Sequence, residues 1–194
     1  NDPTANVVPN PVGQDVTFAP TAADTTTTID VADIVAALNN GSNVIIKTTS
    51  IGNTTTGKIK VSVPITKTSG GNAILTFDAD DTISIDAAIS STAGRLDIVL
   101  KTKKDVVINS AVDTNNGDLL VDGQGILTIN AQINAGTGDV RFAVNGNLTQ
   151  NAAGTITADE LGIRQTNAIA GNVTLNSLND VNQLAISNSA VAGT

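Results

Sequence analysis

The densest acidic cluster is Asp78, Asp80 and Asp81, and the densest basic one is Arg95, Lys101, Lys103 and Lys104. Neighbouring carboxylates could serve acid–base chemistry on a glycan or hold Ca²⁺, and a basic side chain in a cleft could act as a proton acceptor. Such sites usually carry aromatic platforms for the sugar, and the chain has no Tyr and no Trp. The pattern therefore favours solvated faces and turns, whose charges discourage sheet-edge association.

A second acidic stretch, Asp113-Thr-Asn-Asn-Gly-Asp118, has the look of a calcium loop. An EF-hand loop needs Gly at position six and a distant Glu. Here Gly117 is at position five, and the only glutamate is the remote Glu160. A turn between repeats is the better expectation. Thr25–Thr28, Thr48–Thr49 and Thr54–Thr56 keep no common register, which argues against a flat ice-binding Thr array. Sequons begin at Asn40, Asn53, Asn147 and Asn172, as chance allows in a Thr- and Asn-rich chain. No catalytic, cofactor-binding or metal-ligating residue is assigned, no cofactor is expected, and the expectation is a protein that is not an enzyme.

Composition narrows the chemistry further. The 194 residues include no His and no Cys. That removes an imidazole base, a Ser-His-Asp triad, a thiol nucleophile, a disulfide and a zinc thiolate site. Three Phe are the only aromatic residues, too few to stack bases, and a net charge of −8 repels phosphate backbones and anionic bilayers. No nucleic-acid partner and no membrane insertion are expected. A basic region followed by an apolar run is also missing, so the sequence offers no signal peptide and reads as a segment of a longer or processed protein.

The elements that would position these residues come from internal repeats. Apolar pairs recur at Leu75/Phe77, Ile98/Leu100, Leu119/Val121, Val140/Phe142 and Leu161/Ile163, spaced by 23, 21, 21 and 21 residues. A second register reads Ile83/Ile85, Val106/Ile108, Leu127/Ile129 and Leu148/Gln150. A third reads Ala87/Ile89, Ser110/Val112 and Ala131/Ile133. After the second register come Asp86, Asn109, Asn130 and Asn151. Period-2 alternation means strand, and short strands at a constant period separated by Gly, Asn and Asp make one turn of a solenoid. An antiparallel sandwich has similar turn signals but needs no constant period with matched positions. The expected fold is all-β: a right-handed parallel β-helix of about 21-residue coils, with Asn ladders at equivalent turns.

Residues 1–24 hold four of the five prolines and are expected to form an irregular or edge-pairing arm. The β-helix is expected over 25–194, its repeats clearest from 72 to 164. Val31, Ile34, Val35 and Leu38 form an i, i+3, i+4, i+7 stripe, predicting one short helix near 31–39. Asp30 supplies the N-cap, Asp33 a first-turn charge, and Asn39-Asn40-Gly41 the stop. A strand is predicted over Asn43–Lys47, and Ile59, Val61, Val63 and Ile65 are expected to face inward.

The unit from Ile29 to Ile46, a helix then a strand, resembles a unit recurring in bacterial large exoproteins. So do Ile83-Ser-Ile-Asp-Ala-Ala-Ile89, Gly146-Asn-Leu-Thr-Gln150 and Gly171-Asn-Val-Thr-Leu-Asn176, with Leu184-Ala-Ile186 after it. In order, these are similar to the shaft repeats of filamentous haemagglutinin-like adhesins over roughly 25–194. The family's Asn-Pro-Asn-Leu-type secretion motif is not matched by Val8-Pro-Asn-Pro-Val12, and no Arg-Gly-Asp occurs. The resemblance implies a stiff, secreted or surface-attached rod or fibre. Its partners would be an outer-membrane two-partner secretion transporter, an unidentified surface receptor or glycan, and further copies of itself. A polysaccharide-binding or polysaccharide-degrading β-helix is the alternative. A self-assembling fibre subunit is a further one.

Overall fold

The computed structural model describes residues 15–20, 27–48, 57–165 and 171–188. Nearly every element is a short parallel strand, and the chain winds as a β-solenoid of about five turns with one short helix.

Before the first coil stand β1 (Val16–Phe18) and α1 (Val31–Asn39). Coil one holds β2 (Val44–Lys47), β3 (Ile59–Val61) and β4 (Ile65–Lys67). Coil two holds β5 (Ala73–Ala79), β6 (Ile83–Ile85) and β7 (Ile89–Ser91). Coil three holds β8 (Leu96–Thr102), β9 (Val106–Ile108) and β10 (Val112–Asp113). Coil four holds β11 (Leu119–Gly123), β12 (Leu127–Ile129) and β13 (Ile133–Asn134). After β14 (Val140–Val144) and β15 (Leu148–Gln150), the long β16 (Ile156–Gln165) runs across a corner, followed by β17 (Val173–Leu175) and β18 (Asp180–Asn188).

Three faces result. The first stacks β1, β2, β5, β8, β11, β14 and the ends of β16 and β18. The second stacks β3, β6, β9, β12, β15 and β17, and the third β4, β7, β10, β13 and the start of β16. Each strand pairs with its counterpart in the next coil, about 4.8 Å away.

The register confirms the repeats read from sequence. Leu75 pairs with Ile98, Ile98 with Leu119, Leu119 with Val140 and Val140 with Leu161. Ile83, Val106, Leu127 and Leu148 align on the second face, and Ile89, Val112 and Ile133 on the third. All of these side chains are buried, so the core is a set of aliphatic columns interrupted by Phe18, Phe77 and Phe142. Removing a column member forfeits contacts above and below as well as across the core, which makes the columns cooperative.

The helix is capped as expected. Asp30 Oδ1 accepts from the Ala32 amide at 2.9 Å, and Gly41 after the last turn has φ 76°. Ile34 and Leu38 are buried, Val31 and Val35 partly so, and α1 packs on β2, β4 and β5. It therefore covers the core at the N-terminal side of coil one. The other end carries no such cover among the described residues. Leu184 and Ile186, in register with buried Leu161 and Ile163, are 54% and 49% exposed, and Leu178 is 94% exposed.

Two expectations need correction. Val63 does not face inward; it is 54% exposed at the corner beside Pro64, where the chain turns between faces and the period-2 phase is lost. Ala87, Ser110 and Ala131, the first members of the third register, occupy that same corner and are only half-buried. Gln150 keeps the inward place that the second register gives it, between Ile129 and Leu175, and its amide bridges to Gly154 O and Asn179 Oδ1, both at 2.6 Å. Within the expected N-terminal arm, Val16–Phe18 pair in parallel with β2; residues 1–14 and 21–24 lie outside the described residues.

Candidate functional site

Outward positions of the first face place the charged residues together. Lys47 is in register with Asp78, Asp78 with Lys101, and Lys101 with Asp122. Signs therefore alternate along the solenoid axis over four coils, a position-by-position arrangement in which each unlike neighbour is favourable. None of these four forms an ion pair with another described residue. Two residues further along the strands, Lys103 Nζ lies 2.6 Å from Asp80 Oδ1. These six side chains line one shallow depression of about 770 Å³ whose rim includes Thr17 and Gln124.

Two of the sequence clusters are thus brought together in part. Asp78, Asp80, Lys101 and Lys103 share the depression, joined by Lys47 and Asp122, which the clusters had not included. Asp81 turns elsewhere: its Oδ1 accepts from the Thr82 amide at 2.8 Å, and Oδ2 lies 3.9 Å from Lys58. Arg95 and Lys104 are exposed and outside the depression. Lys103 itself is poorly suited to accept a proton. The hydrogen bond and charge of Asp80 hold the Lys103 ammonium more firmly protonated than an ordinary lysine, the opposite of what a general base needs.

The Asp113–Asp118 stretch is a turn between coils. Asp113 Oδ1 accepts from the Asn115 amide at 3.0 Å, and its Oδ2 accepts from Asn134 Nδ2 at 3.0 Å. Asn115 and Asn116 both adopt positive φ, 51° and 67°, which Asn tolerates where a bulkier residue would be strained. Asp118 Oδ1 accepts from the Asp139 amide at 2.9 Å, and Asp97 does the same for Asp118 at 3.0 Å. These acids thus tie one coil to the next. Among the sequons, Asn40, Asn147 and Asn172 are exposed, and Asn147 Oδ1 accepts from the Asn172 amide. Asn53 lies outside the described residues, as do Thr25, Thr26, Thr49 and Thr54–Thr56; Thr48 is buried and accepts from the Asp80 amide at 2.9 Å.

One functional-looking residue was not singled out from sequence. Lys67 points into the core at the end of β4 and is fully buried. Its Nζ donates to Ser69 O at 2.8 Å, Gly70 O at 3.3 Å and Ala93 O. Burial pushes its pKa below the ordinary lysine range. The same inward position carries Ser91 one coil on, which donates to Ala93 O and Gly94 O. Next comes Thr114, donating to Gly117 O at 2.6 Å. A polar side chain satisfying the carbonyls of the following turn is thus a repeated device, and Lys67 is its longest version. Its place after Ile65 in an alternating strand was the available signal.

No helix among the described residues is long and apolar enough to cross a membrane. No protein-family profile, no curated protein and no solved structure matches the chain.

Proposed function

We propose that the chain is a non-enzymatic, load-bearing segment of a secreted or surface-attached adhesin of the filamentous haemagglutinin-like kind, serving as a stiff rod. The β-solenoid is consistent with a rod-like or adhesive role. The supporting observation is the uninterrupted parallel register of the first face from β1 to β18. Backbone pairing along one axis and an aliphatic core give stiffness without cofactor, metal or disulfide. In this reading a two-partner transporter exports the chain, and the rod projects an element that meets a receptor or glycan.

The test displays the chain between a surface anchor and a module of known binding. A spacer transmits binding with a reach set by its coils, and replacement by a Gly/Ser linker of equal residue count changes reach but leaves the module's affinity intact. Adhesion by the chain without the module would instead place the receptor site on the rod itself.

The six-charge depression favours a second reading, recognition of a polysaccharide on the first face. Calorimetric titration with acidic and neutral oligosaccharides tests it; loss of binding in Asp78→Asn and Lys101→Gln variants would support it.

A further inference from the structure

The charge ladder on the first face has an unusual symmetry. Read along the axis it runs Lys47, Asp78, Lys101, Asp122, and read backwards its signs are inverted. A strip of alternating sign and even length is complementary to its own reversed copy. A second copy rotated about a two-fold axis along the strand direction, between β5 and β8, meets it term by term. Lys47 then stands opposite Asp122 of the second copy, and Asp78 opposite its Lys101. The same operation sets Asp80 opposite Lys103. All six charges lining the depression obey one axis. They sum to zero in a chain of net charge −8, so this face lacks the repulsion that keeps the rest of the surface apart.

The neighbouring outward column obeys the axis too. Ile45, Thr76, Val99 and Leu120 are in register beside the ladder. The rotation places Ile45 against Leu120 and Thr76 against Val99. Outward aliphatics on a strand face beside four charges with no ion-pair partner among the described residues are what an isologous contact requires.

We propose that the first face is a homodimer interface, pairing two rods side by side with axes antiparallel about a two-fold axis between β5 and β8. A parallel copy in register would set Lys on Lys and Asp on Asp, and one slipped by a coil would leave an end charge of each copy unmatched, so the ladder also favours the antiparallel direction of pairing. Four coils at about 4.8 Å each make a patch smaller than the roughly 800 Å² per partner of a standard interface. The dimer is therefore weak and salt-sensitive, and in a long rod repeated ladders would bundle neighbours laterally. The proposal does not depend on the adhesive reading.

Sedimentation equilibrium of the chain tests it. Dimer is expected at low salt, with its dissociation constant rising at least tenfold in about 1 M NaCl. Lys47→Asp with Lys101→Asp makes an all-acidic ladder, and Asp78→Lys with Asp122→Lys an all-basic one. Each is expected to be monomeric alone, and an equimolar mixture is expected to restore dimers, which also shows that both variants fold. Should either fail to fold, the neutral pair Asp78→Asn and Lys101→Gln is expected to weaken the dimer at least tenfold and remove most of its salt dependence. A wild-type chain monomeric at all concentrations would overturn the proposal. So would dimers that every variant retains, as mating through the exposed β18 end would give. Binding of an alginate oligosaccharide by a wild-type chain that stays monomeric would overturn it as well.

Discussion

Asn130 donates from Nδ2 to Asn109 Oδ1 at 2.7 Å across exactly one coil of 21 residues. Below it Asn109 donates to Asp86 Oδ1 at 2.8 Å, and above it Asn151 donates to Asn130. A side-chain amide ladder thus runs beside the backbone ladder of the second face and locks the same register.

Asn130, like Asn109, is an interior rung that both accepts and donates. Asn130→Ala removes two hydrogen bonds and is expected to cost about 1–2 kcal/mol. Urea denaturation followed by circular dichroism measures it, and an unchanged midpoint would show that the amides are as well satisfied by water.

The foot of the ladder gives a pH dependence. Asp86 accepts from Ser84 Oγ at 2.6 Å and from Asn109, with the Lys60 ammonium at 3.2 Å. Its pKa falls from 3.8 to about 2, chiefly through the Ser84 hydrogen bond, then Asn109 and Lys60. The folded value lies below the unfolded one. The stabilisation is therefore present above pH about 4 and fades as the pH falls towards 2. Asp86→Asn is expected to flatten the melting temperature over that window while leaving its shape near neutrality unchanged.

Lys67 reports on the coil-one corner, where Asn39 Oδ1 also accepts from the Thr68 and Ser69 amides at 2.8 and 3.1 Å. Lys67→Met keeps the bulk but leaves the Ser69 and Gly70 carbonyls without this donor and Ala93 O with Ser91 alone, an expected loss of about 1–3 kcal/mol. Because burial lowers the folded pKa below the unfolded 10.5, wild-type stability should rise as pH climbs through the folded value and level off above 10.5. The Met variant should lack that rise in an alkaline melting series.

Coil deletion probes the repeat itself. Val106–Ile126 is one full coil, since Val106 pairs with Leu127. Excising those 21 residues brings β8 against β14 and β6 against β12 in unchanged phase, and a folded, shorter solenoid is expected. Removing one residue more or fewer turns every inward side chain of the joined strand outward. Amide hydrogen exchange should show retained protection in the first variant and its loss around the junction in the second.

The aliphatic columns were legible because strand period and coil period are both simple: Leu75 to Ile98 to Leu119 can be counted on the sequence. The Asn ladder was legible for the same reason. Corners were not. Val63 sits where the chain turns between faces, and the alternation of Ile59, Val61, Val63 and Ile65 runs through that corner unbroken in the sequence. The acidic and basic clusters were visible as clusters but not as one surface. Lys47 lies 31 residues before Asp78, because coil one is longer than the rest, so its place in the ladder emerges only from strand pairing.

The most direct test of a stiff, register-built rod is a spin-label distance along one face. The chain has no cysteine, so Lys60→Cys and Thr174→Cys introduce two unique labels. Both are outward on the second face and five coil steps apart through Ser84, Val107, Thr128 and Thr149. Pulsed dipolar spectroscopy should return one narrow distribution near the about 24 Å that five steps of about 4.8 Å require, broadened only by the label linkers. A broad distribution, or a distance that shifts between samples, would contradict the rod.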